Sequence, residues 1–248
     1  FIERDAINVR WYARLPPIRI SVDLDHVLLE SHHTHHLRFS TPSIGAVEVY
    51  LNTLDAPVPV LTAIAIDRSR PERAFLGGGG ASSRRERALE QALFELGQSR
   101  TAFKVYRPSL VKNIQVDSRV ADMTDFFDAA LFYGYAPNLG RLDWYRETEH
   151  VRDWRSVATL ETRDTQREYD EMLGWLRRAG WTPVILEFGD TWPGLQLVKV
   201  LVPQLTQASV PSHPYLGHPR FYDLPHRLGL TETRLHYEDL NTDPVPFP

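Results

Sequence analysis

Apolar residues Ile2, Ala6, Val9 and Ala13 recur at helical spacing, which predicts an amphipathic helix over 1–15 that Pro16-Pro17 stops. Stretches 46–51 and 58–66 have strand composition, with Pro57 and Pro59 marking the turn before the second. Gly77-Gly78-Gly79-Gly80 then leads into a second helix over about 83–103, the glycines letting the backbone turn freely. Two further helices are predicted over 122–133 and 165–179, the latter closed by Gly180. Runs 182–188 and 195–202 pair as an antiparallel hairpin around the turn Gly189-Asp190-Thr191-Trp192-Pro193-Gly194. From Pro203 onward Pro, His and Tyr abound without periodicity, which predicts a long irregular C-terminal segment packed over the domain. The pattern is that of an α+β fold, with mixed or antiparallel sheets packed against helices.

Composition narrows the class. With 248 residues, 42% hydrophobic and 24% charged, the chain can bury a full core as a single domain over 1–248. A net charge of −4 argues against a general nucleic-acid binder. The absence of cysteine excludes disulfides, thiolate nucleophiles and Cys-ligated zinc, and fits a cytoplasmic location. No apolar run approaches the ~18 residues that span a bilayer, so no membrane partner is expected. The chain opens without Met inside a helix, so it is expected to be a piece of a longer polypeptide.

The second helix places Gln91, Glu95 and Gln98 at i, i+4 and i+7 on one face, opposite Leu89, Leu93 and Leu96. Such a polar stripe can line a metal-nucleotide site or simply be solvated. No P-loop, Rossmann fingerprint or Gly-x-Ser-x-Gly elbow occurs. On the first helix, Glu3 and Arg4 offer a carboxylate for Mg²⁺ beside a guanidinium for phosphate, though a surface ion pair looks the same. His32-His33-Thr34-His35-His36 lies in a polar stretch and is not taken as a metal site. The end of the chain, Pro244-Val245-Pro246-Phe247-Pro248, reads as a stiff extended rod presenting its terminal carboxylate, or as a ligand for an aromatic groove.

Three segments together resemble the YcaO family of ATP-dependent peptide-backbone modifying enzymes. Ile2-Glu3-Arg4-Asp5-Ala6 is similar to the end of the family's Glu-x-x-Glu-Arg helix, with the earlier Glu just before Phe1. Gly80-Ala81, Glu86, Ala88-Leu89, Ala92-Leu93, Glu95 and Gln98-Ser99-Arg100 resemble its Gly-Ala loop and following helix. Val202-Pro203, His218-Pro219-Arg220, Tyr222-Asp223-x-Pro225, Arg227-x-Gly229 and the Pro-x-Pro-x-Pro ending complete the order. That ending resembles the azoline-forming branch, the cyclodehydratase subunits.

The resemblance implies the C-terminal portion of a YcaO domain, binding ATP and Mg²⁺ and acting on a ribosomal precursor peptide with an E1-like leader-binding partner. In that chemistry a Cys, Ser or Thr side chain attacks the preceding amide, whose oxygen is phosphorylated and lost, leaving a thiazoline or oxazoline. Glu3 and Glu95 would be metal ligands; Arg4, Gln91 and Arg87 would meet ATP or its phosphates. Pro248 would bring its carboxylate as general base or positioner, held by Pro244 and Pro246. Gln91 stands where the family helix usually has Arg, and Arg84, Arg85 or Arg87 could compensate. Thioamide or amidine formation is an alternative within the family; a noncatalytic interaction domain with a Pro-rich ligand tail is the alternative outside it.

Overall fold

The computed structural model describes residues 1–30, 46–67, 74–105, 118–160, 164–192 and 194–247. The His32–His36 cluster and Pro248 lie outside them. A five-stranded mixed sheet has the order β4-β3-β2-β1-β5, built from β1 (Ile18–Ser21), β2 (Glu48–Leu51), β3 (Val60–Ile66), β4 (Phe75–Ala81) and β5 (Val151–Asp153). Only β1 and β5 run parallel; the remaining pairs are antiparallel, β3 and β4 being joined from Val60↔Ala81 to Ile66↔Phe75. Helix α1 (Ile2–Tyr12) covers one face with Val60, Ile64 and Phe75, and α3 (Arg85–Val105) covers the other with Leu61, Ala63 and Leu76. The alternation of side chains along β3 and β4 sorts these two cores. The short α2 (Leu24–Glu30) follows β1, and α4 (Phe126–Gly134) and α5 (Asp143–Arg146) precede β5. Helix α6 (Thr165–Arg178) and the hairpin of β6 (Val184–Trp192) and β7 (Leu195–Leu201) come next, and α7 (Pro219–Arg227) lies in the C-terminal segment. No described helix is long and apolar enough to cross a membrane.

The glycine run is a strand, not a loop. None of Gly77 to Gly80 has a positive φ, so conformational freedom is not what they supply. A Cβ at Gly78 or Gly80 would run into the carbonyls of Ala92 and Ala88, whose helix lies directly on the strand. The missing side chains bring α3 down onto β4, and α3 in turn covers the strand's free edge. Glu95 Oε2 accepts the Gly79 N–H at 2.8 Å, and Ser99 Oγ donates to the Gly77 carbonyl at 2.9 Å.

Helix α1 is buried around its whole circumference instead of being amphipathic. Its polar residues have partners supplied by distant chain. Asp5 accepts the Thr206 N–H at 2.8 Å, and Asn8 Nδ2 donates to the Gln207 carbonyl at 3.0 Å. Arg10 donates to the carbonyls of Asn52, Pro16 and Thr53, and burial lowers its pKa to about 10. Its C-terminus is a Schellman turn with Arg14 at φ 51, two residues ahead of Pro16.

The segment after Pro203 holds a helix that its composition hides. His218 caps α7, accepting the Arg220 N–H at 3.3 Å; Pro219 occupies the first turn, and Gly229 at φ 67 closes a Schellman turn. Arg220 from this helix is buried between two carboxylates. It donates to Asp5 at 2.9 and 2.6 Å and to Asp55 at 3.0 and 2.7 Å, with its guanidinium over the Trp181 ring. Removing one partner from such a buried charge set costs about 3–5 kcal/mol, so this cluster ties α7 firmly to α1.

Candidate active site

A cavity of about 810 Å³ opens where the N-terminal turn of α1, strand β4, the polar face of α3, helix α6 and the β6–β7 hairpin meet. Its volume is that of a small-molecule or cofactor site. Glu3 reaches it from α1 and Glu95 from α3, on opposite sides of the edge strand, and both carboxylates converge on Gly79. Glu95 accepts the Gly79 N–H, and a Cβ at Gly79 would lie 2.9 Å from Glu3 Oε1. A side chain at position 79 would push the Glu3 carboxylate away from where it now lies.

Burial and the facing Glu95 carboxylate raise the pKa of Glu3 above its ordinary 4.5, while Arg4 pulls it down. Two carboxylates held together at a half-buried point are residues that could hold a cation. Mg²⁺ takes one or two carboxylates and completes its shell with waters and substrate phosphates, which suits this pair better than a full protein cage. Among the described residues no group of three His, Cys, Asp or Glu side chains converges. Glu168 is the third carboxylate on the cavity wall; its Oε1 accepts the Ser83 hydroxyl at 2.8 Å, joining α6 to the loop ahead of α3. No Lys or Arg is among the described residues lining the cavity, so the wall favours a cation over a bare polyphosphate.

The proton on Glu3 sets a pH dependence. A carboxyl whose folded pKa is raised stabilises the cation-free protein fully below the unfolded value of 4.5, and that contribution is lost as pH rises through the folded pKa. A bound cation needs the deprotonated form, so Mg²⁺ should do the opposite. The rise in Tm produced by Mg²⁺ should therefore grow as pH increases from about 4.5 toward neutrality. In Glu3→Gln that growth should flatten; an undiminished pH dependence in the variant would remove Glu3 from the cation site.

The other residues read from sequence fall as follows. Gln91 and Gln98 line the cavity on the Glu95 face of α3. Arg4 points round α1 to the tail, where Nη1 donates to the Phe247 carbonyl at 3.0 Å, and is not among the cavity-lining residues. Arg87 pairs with Glu90 at 3.1 Å on the exposed side of α3, and Arg84 is exposed. Arg85 donates to the carbonyls of Trp154, Arg155 and Val157. None of these three lines the cavity. Pro244 and Pro246 are buried, with the Pro244 carbonyl accepting the Tyr133 hydroxyl at 2.8 Å. Sequence reasoning did not find Ser83 and Glu168, which sit 85 residues apart and meet only through the fold.

The chain belongs to the YcaO family: the family model, described as "YcaO cyclodehydratase, ATP-ad Mg2+-binding", matches residues 1–206. ATP and Mg²⁺ are therefore the ligands of its family. Among solved structures the chain resembles a heterocyclase in complex with substrate and cofactor, at 20% identity and TM-score 0.71, covering 99% of this chain and 30% of that one. It also resembles YcaO from Methanopyrus kandleri bound with AMPPCP and Mg²⁺, at 20% identity and TM-score 0.56, covering 83% of this chain and 50% of that one. The E. coli microcin synthetase McbBCD complex with pro-MccB17 bound matches at 16% identity and TM-score 0.55, over 100% of this chain and 58% of that one. These likenesses show the fold, and the chain spans 30–58% of the length of these three structures. No curated protein matches it.

Proposed function

We propose that this chain is the C-terminal portion of a YcaO domain acting in the cytoplasm as an ATP-dependent cyclodehydratase. Its substrate would be a ribosomal precursor peptide, delivered by an E1-like leader-binding partner, whose Cys, Ser or Thr residues become thiazolines or oxazolines. The observation that carries this reading is the Glu3–Glu95 pair converging on Gly79 at the wall of a cofactor-sized cavity, in a chain of this family.

Glu3 and Glu95 would hold Mg²⁺, and Gln91 and Gln98 would offer neutral donors to the nucleotide's phosphates. When bound, ATP with Mg²⁺ supplies a phosphoryl group that lets the amide oxygen leave as phosphate in place of hydroxide. The attacking side chain of the substrate loses a proton as it closes on the preceding amide carbon, and the Pro248 carboxylate is proposed as the group that accepts it or positions the amide. Pro244, Pro246 and Phe247 are buried against the chain's own core, which favours this reading over a Pro-rich ligand tail offered to a partner.

Gln91 supplies a test of the phosphate-facing wall. Gln91→Arg would put a guanidinium four residues ahead of Glu95 on the same face, restoring the family's usual residue. A charge-assisted contact should lower the KM for ATP roughly fivefold with kcat little changed. An unchanged KM would mean that position 91 does not meet the phosphates. The functional reading as a whole is tested by incubating the full-length protein and its partner with a precursor peptide and ATP. Loss of one water per modified residue should accompany peptide-dependent phosphate release; phosphate release without mass loss would contradict it.

A further inference from the structure

The buried Arg220 cluster lies on the far side of α1 from the Glu3–Glu95 pair. Glu3 and Asp5 stand two residues apart in the first turn of that helix, about 200° around its axis from each other. One side of the turn therefore meets β4, where Glu3 Oε1 and Ile7 Cδ1 would lie 2.9 and 3.2 Å from a Cβ at Gly79. The other side meets Arg220. No side chain caps the start of α1. Asp5 anchors it instead: Oδ1 accepts the Thr206 N–H and Arg220 Nε, and Oδ2 accepts Arg220 Nη2. The same guanidinium donates to both oxygens of Asp55, in the connection from β2 to β3. One planar group thus ties the helix that carries Glu3 to the sheet that carries Gly79.

Arg220 also reaches the opposite wall of the cavity. Its Cζ lies 4.9 Å from the centre of the Trp181 ring, which stands between α6 and β6 and packs at 5.5 Å on Trp175, a cavity-lining residue. Val202 and Leu205, just ahead of the Thr206 N–H that Asp5 holds, line the cavity as well. Asp5 alone would neutralise Arg220. Asp55 adds excess negative charge and repels Asp5, while fixing the guanidinium from a second side. We infer that Arg220 is a positioning residue for the Glu3 carboxylate: by clamping Asp5 to Asp55 it sets the rotation and depth of the first turn of α1 over β4, and so the approach of Glu3 to Glu95. This rests on the reading of Glu3 and Glu95 as the Mg²⁺ ligands. Arg220 touches neither metal nor nucleotide and acts through Asp5 and the helix.

Positioning separates from stability in the full-length protein. Mn²⁺ serves as the probe, its binding followed by electron paramagnetic resonance well below every Tm, with Glu3→Ala identifying the site. Arg220→Lys keeps the charge but cannot fork onto two carboxylates. It should weaken Mn²⁺ binding roughly tenfold, the lower end of what losing a residue that supports a metal ligand costs. Asp55→Asn removes the excess charge along with one side of the clamp, so Tm should hold while Mn²⁺ affinity falls roughly threefold. Leu224→Ala empties a buried position under α7 and leaves the clamp in place, so Tm should fall while Mn²⁺ affinity stays within about twofold. Unchanged affinity in folded Arg220→Lys and Asp55→Asn proteins, the outcome for a purely structural cluster, overturns the inference. The seat of α1 is read without any metal from the NMR contact between the Ile7 δ1 methyl and the Gly79 α protons. Arg220→Lys and Asp55→Asn should weaken that contact and Leu224→Ala should keep it; a contact unchanged in the first two also overturns the inference. If Glu3→Ala alters no Mn²⁺ binding, the metal-ligand reading fails instead, and the methyl contact then decides the role of Arg220 by itself.

Discussion

Replacing Glu3 by alanine should reduce peptide-dependent ATP turnover roughly a thousandfold in the full-length protein while leaving the fold intact. The size follows from what the carboxylate does. Glu3 and Glu95 are brought together at Gly79 from two helices on opposite sides of one strand, and burial first, with the Glu95 charge second, raises the pKa of Glu3. Removing Glu3 relieves the repulsion, so stability should hold or rise slightly when no cation is present. Activity should collapse because a Mg²⁺ left with one carboxylate is both weaker bound and misplaced. Circular dichroism and Tm, measured beside the kinetics, distinguish this from unfolding. A Glu3→Ala protein that folds and turns over ATP normally would place the cation elsewhere. Glu95→Ala makes a poorer test, because it also leaves the Gly79 N–H on the sheet's edge without the partner it has now.

The second large effect belongs to the tail. Extending the chain a few residues beyond Pro248, or deleting Phe247 and Pro248, should cut ring formation by about a hundredfold or more, the usual contribution of a positioned general base. ATP binding should survive, since the residues proposed for the cation and phosphates lie on α1 and α3. The deletion also empties the slot between Phe75 and Tyr145, so it should lower stability by a few kcal/mol, whereas the extension leaves that packing in place. The extension is therefore the cleaner variant. Equal ring counts and rates from native and extended protein would remove the terminal carboxylate from the mechanism.

How much of this was legible in the sequence depended on the range of the interactions. Helices α1, α3 and α6 and the β6–β7 hairpin follow from local periodicity and appear where it puts them, within a few residues. Helix α4 starts at the Asp125 cap, later than its apolar pattern suggested, because Asp125 and Asp128 form a capping box. The glycine run was misleading because a strand of four glycines carries no alternation. Its cause lies in α3 pressing on one face and in Glu3 and Phe247 occupying the other. Strands β1 and β5 are three or four residues long and pair across some 130 positions of chain, which no local pattern reveals. Helix α7 had its signals in plain sight, an N-cap His, a first-turn Pro and a closing Gly, obscured by the Pro- and His-rich composition around them. The site divides the same way. The Gln91–Glu95–Gln98 stripe was a matter of helical spacing, but that it lines a cavity follows only from the placement of α6 and the hairpin. One partner of Arg4, the Phe247 carbonyl, lies 243 residues away, and nothing near Arg4 in sequence points to it.

The most direct test of the whole account follows the amide oxygen itself. A precursor peptide carrying heavy oxygen in the carbonyl that precedes a single Cys, Ser or Thr is incubated with the full-length protein, its partner, Mg²⁺ and unlabelled ATP. Rings are counted by mass spectrometry, and the released phosphate is analysed for label. The account predicts one labelled phosphate for each ring formed, and neither product from Glu3→Ala. Rings accompanied by unlabelled phosphate, or labelled peptide recovered unchanged while ATP is consumed, would contradict it.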